Sequence, residues 1–166
     1  MPSYLVSAGF QADSITAGTV AAAAVEKLGL GIRVDRATSD LPATTSTAMF
    51  TVTGYCIVYQ FLGLVTTVVQ TQACNYSLES NPTATGANVA LCGVLNISAL
   101  AVGTLLGVTG TLATAMTSGL AIIGQVTPLV VQAGTIEAKT SATNTGQVAW
   151  SCWYAPLSAG ASIVAA

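Results

Sequence analysis

The chain has no histidine and very little charge. Of its 166 residues, four are basic (Lys27, Arg33, Arg36 and Lys139) and six are acidic. Charged residues make up 6% of the sequence, against about a quarter in ordinary globular domains. Without histidine, the commonest general base and metal ligand is missing. Four cations cannot neutralise a run of phosphates, and a net charge of −2 leaves no basic footprint, so nucleic acid is not an expected partner. There is no P-loop, no GxSxG elbow and no GxGxxG after a strand. The carboxylates Asp13, Glu26, Asp35, Asp40, Glu79 and Glu137 show no spacing that would pair two of them for glycoside chemistry. These absences put an enzyme last among the function classes, and no cofactor is expected.

Cysteine is sparse and unpatterned. Cys56, Cys74, Cys92 and Cys152 form no CxxC pair. Two disulfides or a scattered zinc site are conceivable. The favoured expectation is four small buried thiols in a reducing compartment. Cys152 alternates with Val148, Trp150 and Tyr154, which puts it on a core-facing side. The first residues, "MPSYLVSAGFQADS", hold no Lys or Arg and no compact apolar stretch, so no secretory signal is expected there.

What the chain has instead is apolar surface. Hydrophobic residues make up 52% of it, which argues against disorder, and the length suits one domain with a real core. Residues 80–136 carry no formal charge. Within them "VALCGVLNISALAVGTLLGV" (89–108) has the length and hydropathy of a membrane span. Yet no Lys or Arg flanks it and no Trp or Tyr lies in 80–136 to form an interfacial belt. Recurring Thr, Val and Gly fit buried strands better. No membrane partner is expected, and a membrane-inserting β protein is kept as a distant alternative.

Strand signals dominate the walk along the chain. "IRVDRATSD" (32–40) alternates Ile32 and Val34 with Arg33 and Asp35, and its charges are expected on a solvated or interface-edge face. "LPATTSTAMFTVTG" (41–54) is a polar turn running into a strand with Ala48, Phe50 and Val52 on one side. Residues 55–73 are a long β-prone run in which Gly63 suggests a bulge. "NYSLES" (75–80) is a short strand closed by the turn residues Asn81-Pro82. Strand character returns at 86–95 and 104–116, and 118–124 is a strand or loop strand. Residues 96–103 form a short helix or a connection, with Asn96 able to cap it. Two runs follow around Ala133-Gly134, with Ile136 and Ala138 facing one way and Thr135, Glu137 and Lys139 the other. "QVAWSCWY" (147–154) is the clearest strand, ended by Pro156. A helix-compatible piece lies at 20–28. Short strands with Gly and Asn turns indicate an all-β sandwich or barrel over residues 32–166, with residues 1–31 as an N-terminal arm. Trp150 and Trp153 are three apart in a strand and point to opposite faces. One of them fits the core, and the other, Trp153, is a candidate interface anchor. In the arm, Tyr4, Leu5, Val6, Phe10 and Ile15 are candidates to dock on a neighbouring subunit or shell.

The segments "LPATTSTAMFTVTG", "GLVTTVVQTQACNYSLESNPT", "GTLLGVTGTL" and "AGTIEAKTSATNTGQVAWSCWYAPLSAGASIVAA" resemble, in that order, a group of tailed-bacteriophage virion structural proteins. The resemblance covers about residues 38–166 and departs at Tyr55-Cys56, where glycine and proline are expected. It implies a small jelly-roll-like β protein similar to capsid decoration (cement) proteins, which sit as homotrimers on the phage head. It also implies the major capsid protein as partner, the capsid surface of the virion as location and the host cytoplasm as the place of assembly. A tail or fibre component of the same particle is the alternative.

Overall fold

The strand with the clearest alternation is central to one sheet. In β11 (Gln147–Pro156) the residues Val148, Trp150, Cys152 and Tyr154 are all buried. The computed structural model describes residues 31–84 and 86–166. Strand β11 lies between β1 (Ile32–Asp40) and β3 (Cys56–Thr67), antiparallel to both. The far side of β3 is shared by β9 (Leu129–Val131) and β7 (Leu105–Gly107), and β8 (Thr117–Gly119) pairs with β7. The second sheet runs β12 (Ser162–Ala165), β2 (Ser46–Thr53), β10 (Gly134–Thr140), β4 (Asn75–Pro82). Its edge beyond β4 is made by β5 (Val89–Ala90) and β6 (Leu95–Asn96). The chain passes back and forth between the sheets: β1, β3, β7 to β9 and β11 in one, β2, β4 to β6, β10 and β12 in the other. This is the jelly-roll wrap of an all-β sandwich.

The core fills the space between the sheets. Phe50 and Phe61, one from each sheet, pack in a tilted arrangement at 6.3 Å between ring centroids. Trp150 and Tyr76 do the same at 6.2 Å, and the Trp150 indole Nε1–H donates to the Tyr76 hydroxyl at 3.1 Å. Each such aromatic or aliphatic side chain contributes about 1.5–3 kcal/mol on burial. The indole has room because its cross-strand partner is Gly63. A Cβ there would lie 2.9 Å from the ring and 3.1 Å from Leu106 Cβ. Gly63 is therefore a seat for Trp150 and not the bulge its position suggested. The register of β3 against β11 slips elsewhere, at Thr66 and Tyr59.

Other expectations are corrected in the same way. Ala48, Phe50 and Val52 do not form one simple alternating row. Phe50 stands opposite Ile136 and Ala48 opposite Glu137, so Met49 is the extra residue of a bulge. The bulge turns Met49 and Phe50 both inward, at 2% and 0% exposure. Strand β4 runs through Asn81 to Pro82, paired with Thr135 and Gly134, so the turn comes later. Residues 97–103 are a connection with no helix: the Asn96 side-chain oxygen accepts the backbone N–H groups of Ser98 and Cys74. The strands expected at 86–95 and 104–116 shrink to two or three paired residues each. At 110 the chain bends with Gly110 at φ 90°, where a Cβ would lie 2.0 Å from the Thr127 carbonyl oxygen. The helix-compatible piece at 20–28 lies outside the described residues.

Trp150→Phe keeps most of the ring but removes the indole donor, leaving the buried Tyr76 hydroxyl without its partner. The expected loss is about 1–3 kcal/mol of unfolding free energy, read from urea denaturation. Gly63→Ala should cost a similar amount by pushing on the same ring.

Candidate interaction surface

The outward side chains of the β1–β11–β3–β7 sheet build one surface. Alternation sends Arg33 and Asp35 outward from β1, Ala149, Ser151 and Trp153 from β11, Leu62 and Leu64 from β3, and Leu105 from β7. Trp153 is half-buried because the Arg33 guanidinium lies 5.3 Å from its ring centroid. The same Arg33 donates through Nε to Asp35 Oδ1 at 2.8 Å, and Ser151 donates to that oxygen at 2.6 Å. Burial would raise the Asp35 pKa, but the bonds from Ser151 and Arg33 outweigh it and hold the carboxyl below its ordinary range. Beside this polar bank lies a groove of about 550 Å³ whose floor is Leu62, Leu64, Leu105 and Ala149.

Segment 120–127 lies across the outer face of the same sheet. Ile122 covers Gly107, and the backbone N–H of Gln125 donates to Gln60 Oε1 at 2.9 Å. The Gln125 side-chain amide donates to the carbonyls of Val58 and Thr127, and the Val126 N–H to Thr109. Three of its apolar side chains nevertheless point outward: Leu120 is 85% exposed, Ile123 78% and Val126 76%. The sandwich edge between β5 and β9 opens a second groove, of about 310 Å³, lined by the exposed Val89, Leu112 and Val130. Apolar patches of this kind mark association surfaces.

Of the charges in "IRVDRATSD", Arg33 and Asp35 lie on the exposed face as expected. Arg36 does not. It turns toward the sandwich interior, where it donates to the Ser39 hydroxyl and to the Ala48 carbonyl and lines a cavity of only about 10 Å³ with Tyr76 and Trp150. The candidate anchors Tyr4, Leu5, Val6, Phe10 and Ile15 lie outside the described residues. Trp153 is placed on the surface just described, together with Leu62, Leu64 and Leu105, which sequence reasoning did not single out. The signal was there: Leu62 and Leu64 alternate with the core residues Phe61 and Val65.

Two carboxylates meet on the outer face of the other sheet. Glu79 and Glu137 stand directly opposite one another in β4 and β10, a repulsive arrangement for like charges. Donors answer it. Ser46 (2.5 Å), Asn88 (2.6 Å) and Lys139 (3.2 Å) bond Glu79, while Asn81 (3.0 Å) and Thr135 (2.7 Å) bond Glu137. Burial would raise the Glu79 pKa, but the bonds from Ser46, Asn88 and Lys139 outweigh it and hold it below 4.5. A carboxyl kept ionised in this way cannot donate a proton near neutral pH. Among the described residues no cluster of three or more Cys, Asp or Glu could hold a metal ion. All four cysteines are buried and unpaired. Burial pushes the thiols of Cys56, Cys92 and Cys152 up, away from the reactive thiolate. No protein-family model, curated protein or solved structure matches the chain.

Alkylation of the native protein should leave all four thiols unmodified, and alkylation after unfolding without reductant should modify all four, as counted by mass spectrometry. Fewer than four after unfolding would reveal a disulfide. The depressed Glu79 pKa makes the folded state gain stability above the ordinary value of 4.5 and lose it as pH falls through the lower folded value. Urea midpoints should therefore drop below about pH 4.5 in the native sequence, with a shallower drop in Glu79→Gln.

Proposed function

We propose that this protein is a non-enzymatic structural component of a tailed-bacteriophage virion, a capsid decoration protein that binds the outer surface of the head and copies of itself. The observation that carries this reading is the outward display of apolar side chains, Leu120, Ile123 and Val126 on segment 120–127 and Leu62, Leu64 and Leu105 in the groove, on a sandwich with few charges to keep it apart from neighbours. A free monomer gains nothing from such a surface. An obligate interface, which is about as apolar as a domain core cut in half, accounts for it. Two further points support the reading. The order of segments resembles virion structural proteins, and jelly rolls recur among viral capsid domains, the latter being an analogy of fold and not of site. The work is non-covalent clamping: burial of these apolar surfaces against the major capsid protein, with no reaction and no cofactor. The protein acts at the capsid surface after assembly in the host cytoplasm.

The test is co-sedimentation of the purified full chain with undecorated heads and, separately, with tails of the same particle. Binding to heads is expected. Leu64→Lys and Leu105→Lys should each weaken it by about tenfold or more, the equivalent of 1.4 kcal/mol. A chain lacking residues 1–18 should fold and bind heads more weakly. Binding to tails in place of heads would move the protein to the tail. Binding to neither would overturn the virion reading.

A further inference from the structure

The two sheets expose strand edges of very different length. Strand β12 has four residues, β8 and β9 three each, and β5 and β6 two each. Such short edges resist pairing with another chain. Strand β1 is the exception. It has nine residues, carries no proline, ends its sheet, and among the described residues has no strand on its outer side. From Ile32 to Arg36 its register with β11 is unbroken, and only then does it bulge. Among the described residues, a regular five-residue stretch of backbone N–H and C=O groups is therefore left open.

We infer that β1 pairs antiparallel with β1 of a second copy across a two-fold axis at Val34, joining two sheets into one. Side-chain chemistry selects this register. To keep outward residues outward, a residue must face one an even number of positions away from itself. Centring the axis on Arg33 sets arginine against arginine. Centring it on Asp35 sets aspartate against aspartate, and centring it on Arg36 repeats the first fault. Centring it on Val34 puts each Arg33 opposite the second copy's Asp35, twice, with Val34 against Val34 between them. The groups needed are available. Arg33 uses Nε for its bond to Asp35, and Asp35 accepts both its bonds on Oδ1, so the Arg33 Nη groups and Asp35 Oδ2 have no partner among the described residues. Trp153 beneath Arg33 holds the guanidinium in place. The contact is isologous, with each copy giving and receiving the same groups. Strand addition of this kind takes its affinity from main-chain hydrogen bonds. One such edge buries less than the roughly 1,200 Å² of stable interfaces, so pairing is weak in solution and strengthens where copies are held side by side. The pairing does not depend on the virion reading, and head binding is measured separately, so either can fail alone.

The test is sedimentation equilibrium of the full chain at tens to hundreds of micromolar, where weak pairing is populated, with near-ultraviolet dichroism to verify that each variant is folded. The native chain should dimerise reversibly. Arg33→Asp and Asp35→Arg should each weaken the dimer by about tenfold, since each sets two like-charge pairs across the axis. A mixture of those two variants should form a heterodimer, and the double exchange Arg33→Asp/Asp35→Arg should restore the homodimer. Asp35→Asn, a milder change, should weaken it less. A native chain that stays monomeric would overturn the proposal. So would association of any order that is indifferent to these charges, or a mixture that fails to pair. Association that survives every charge change but vanishes when residues 1–30 are removed would assign the contact to the arm instead.

Discussion

The two sheets are tied in the core by a hydrogen bond between aromatic side chains. Trp150 of β11 and Tyr76 of β4 belong to opposite sheets, and the indole N–H donates to the phenol oxygen inside the core. An aromatic N–H buried without an acceptor would cost free energy, and so would the phenol without a partner. Bringing the two together answers both costs at once and fixes how the sheets sit. The indole can lie flat enough to reach only because Gly63 leaves its place on β3 empty. Arg36, Met49 and Val148 then close around the same pair. Burial pushes the Tyr76 hydroxyl far up from its ordinary range, so it stays a neutral hydroxyl.

Charge is scarce, and among the described residues nearly all of it is hydrogen-bonded within the chain. Glu79 and Glu137 are surrounded by Ser46, Asn81, Asn88, Thr135 and Lys139. Asp40 accepts from Gln147, Asp35 from Arg33 and Ser151, and Arg36 is spent on Ser39 and Ala48. Exposed pairs such as Arg33–Asp35 add little to stability on their own. What they leave is a surface of Thr, Ser, Ala and exposed Leu, Ile and Val with almost no free charge. Such a surface does not hold copies apart, which is a cost for a free protein and an advantage for one that works in contact with neighbours.

The parts legible in the sequence are those where one face is buried and the pairing is long. Strand β11 showed its inward row because Val148 to Tyr154 alternate without interruption over paired neighbours on both sides. The same holds for Ile136 and Ala138 in β10. The alternation failed where a bulge shifts the period: Met49 could not be seen as a core residue, since a bulge leaves no mark in composition. Gly63 was misread because a glycine that admits a ring from the next strand looks the same in sequence as one that bends its own. Between 86 and 128 the pairings are two or three residues long, too short for a period to show, and the stretch with the exposed Leu120 and Ile123 read only as a strand or loop strand. Trp153 was legible from its offset to Trp150. Its surroundings were not, because Leu62, Leu105 and Arg33 come from three separate strands.

Apolar contact and charge divide the labour of association in this molecule. Leu64, Leu105, Ile123 and Val126 supply area, but apolar area is indifferent to register: a slide of several ångströms costs little when the facing surface is also apolar. A hydrogen-bonded strand edge is stricter. It admits shifts of two residues, about 7 Å along the strand, and nothing between. The choice among those few registers then falls to side chains, and on β1 the only pair able to choose is Arg33 with Asp35. This chain, poor in charge, carries opposite signs two residues apart on the outward face of the longest free edge among the described residues, with a neutral β-branched residue between them. Two charges are enough there, because the backbone has already reduced the question to a handful of discrete answers.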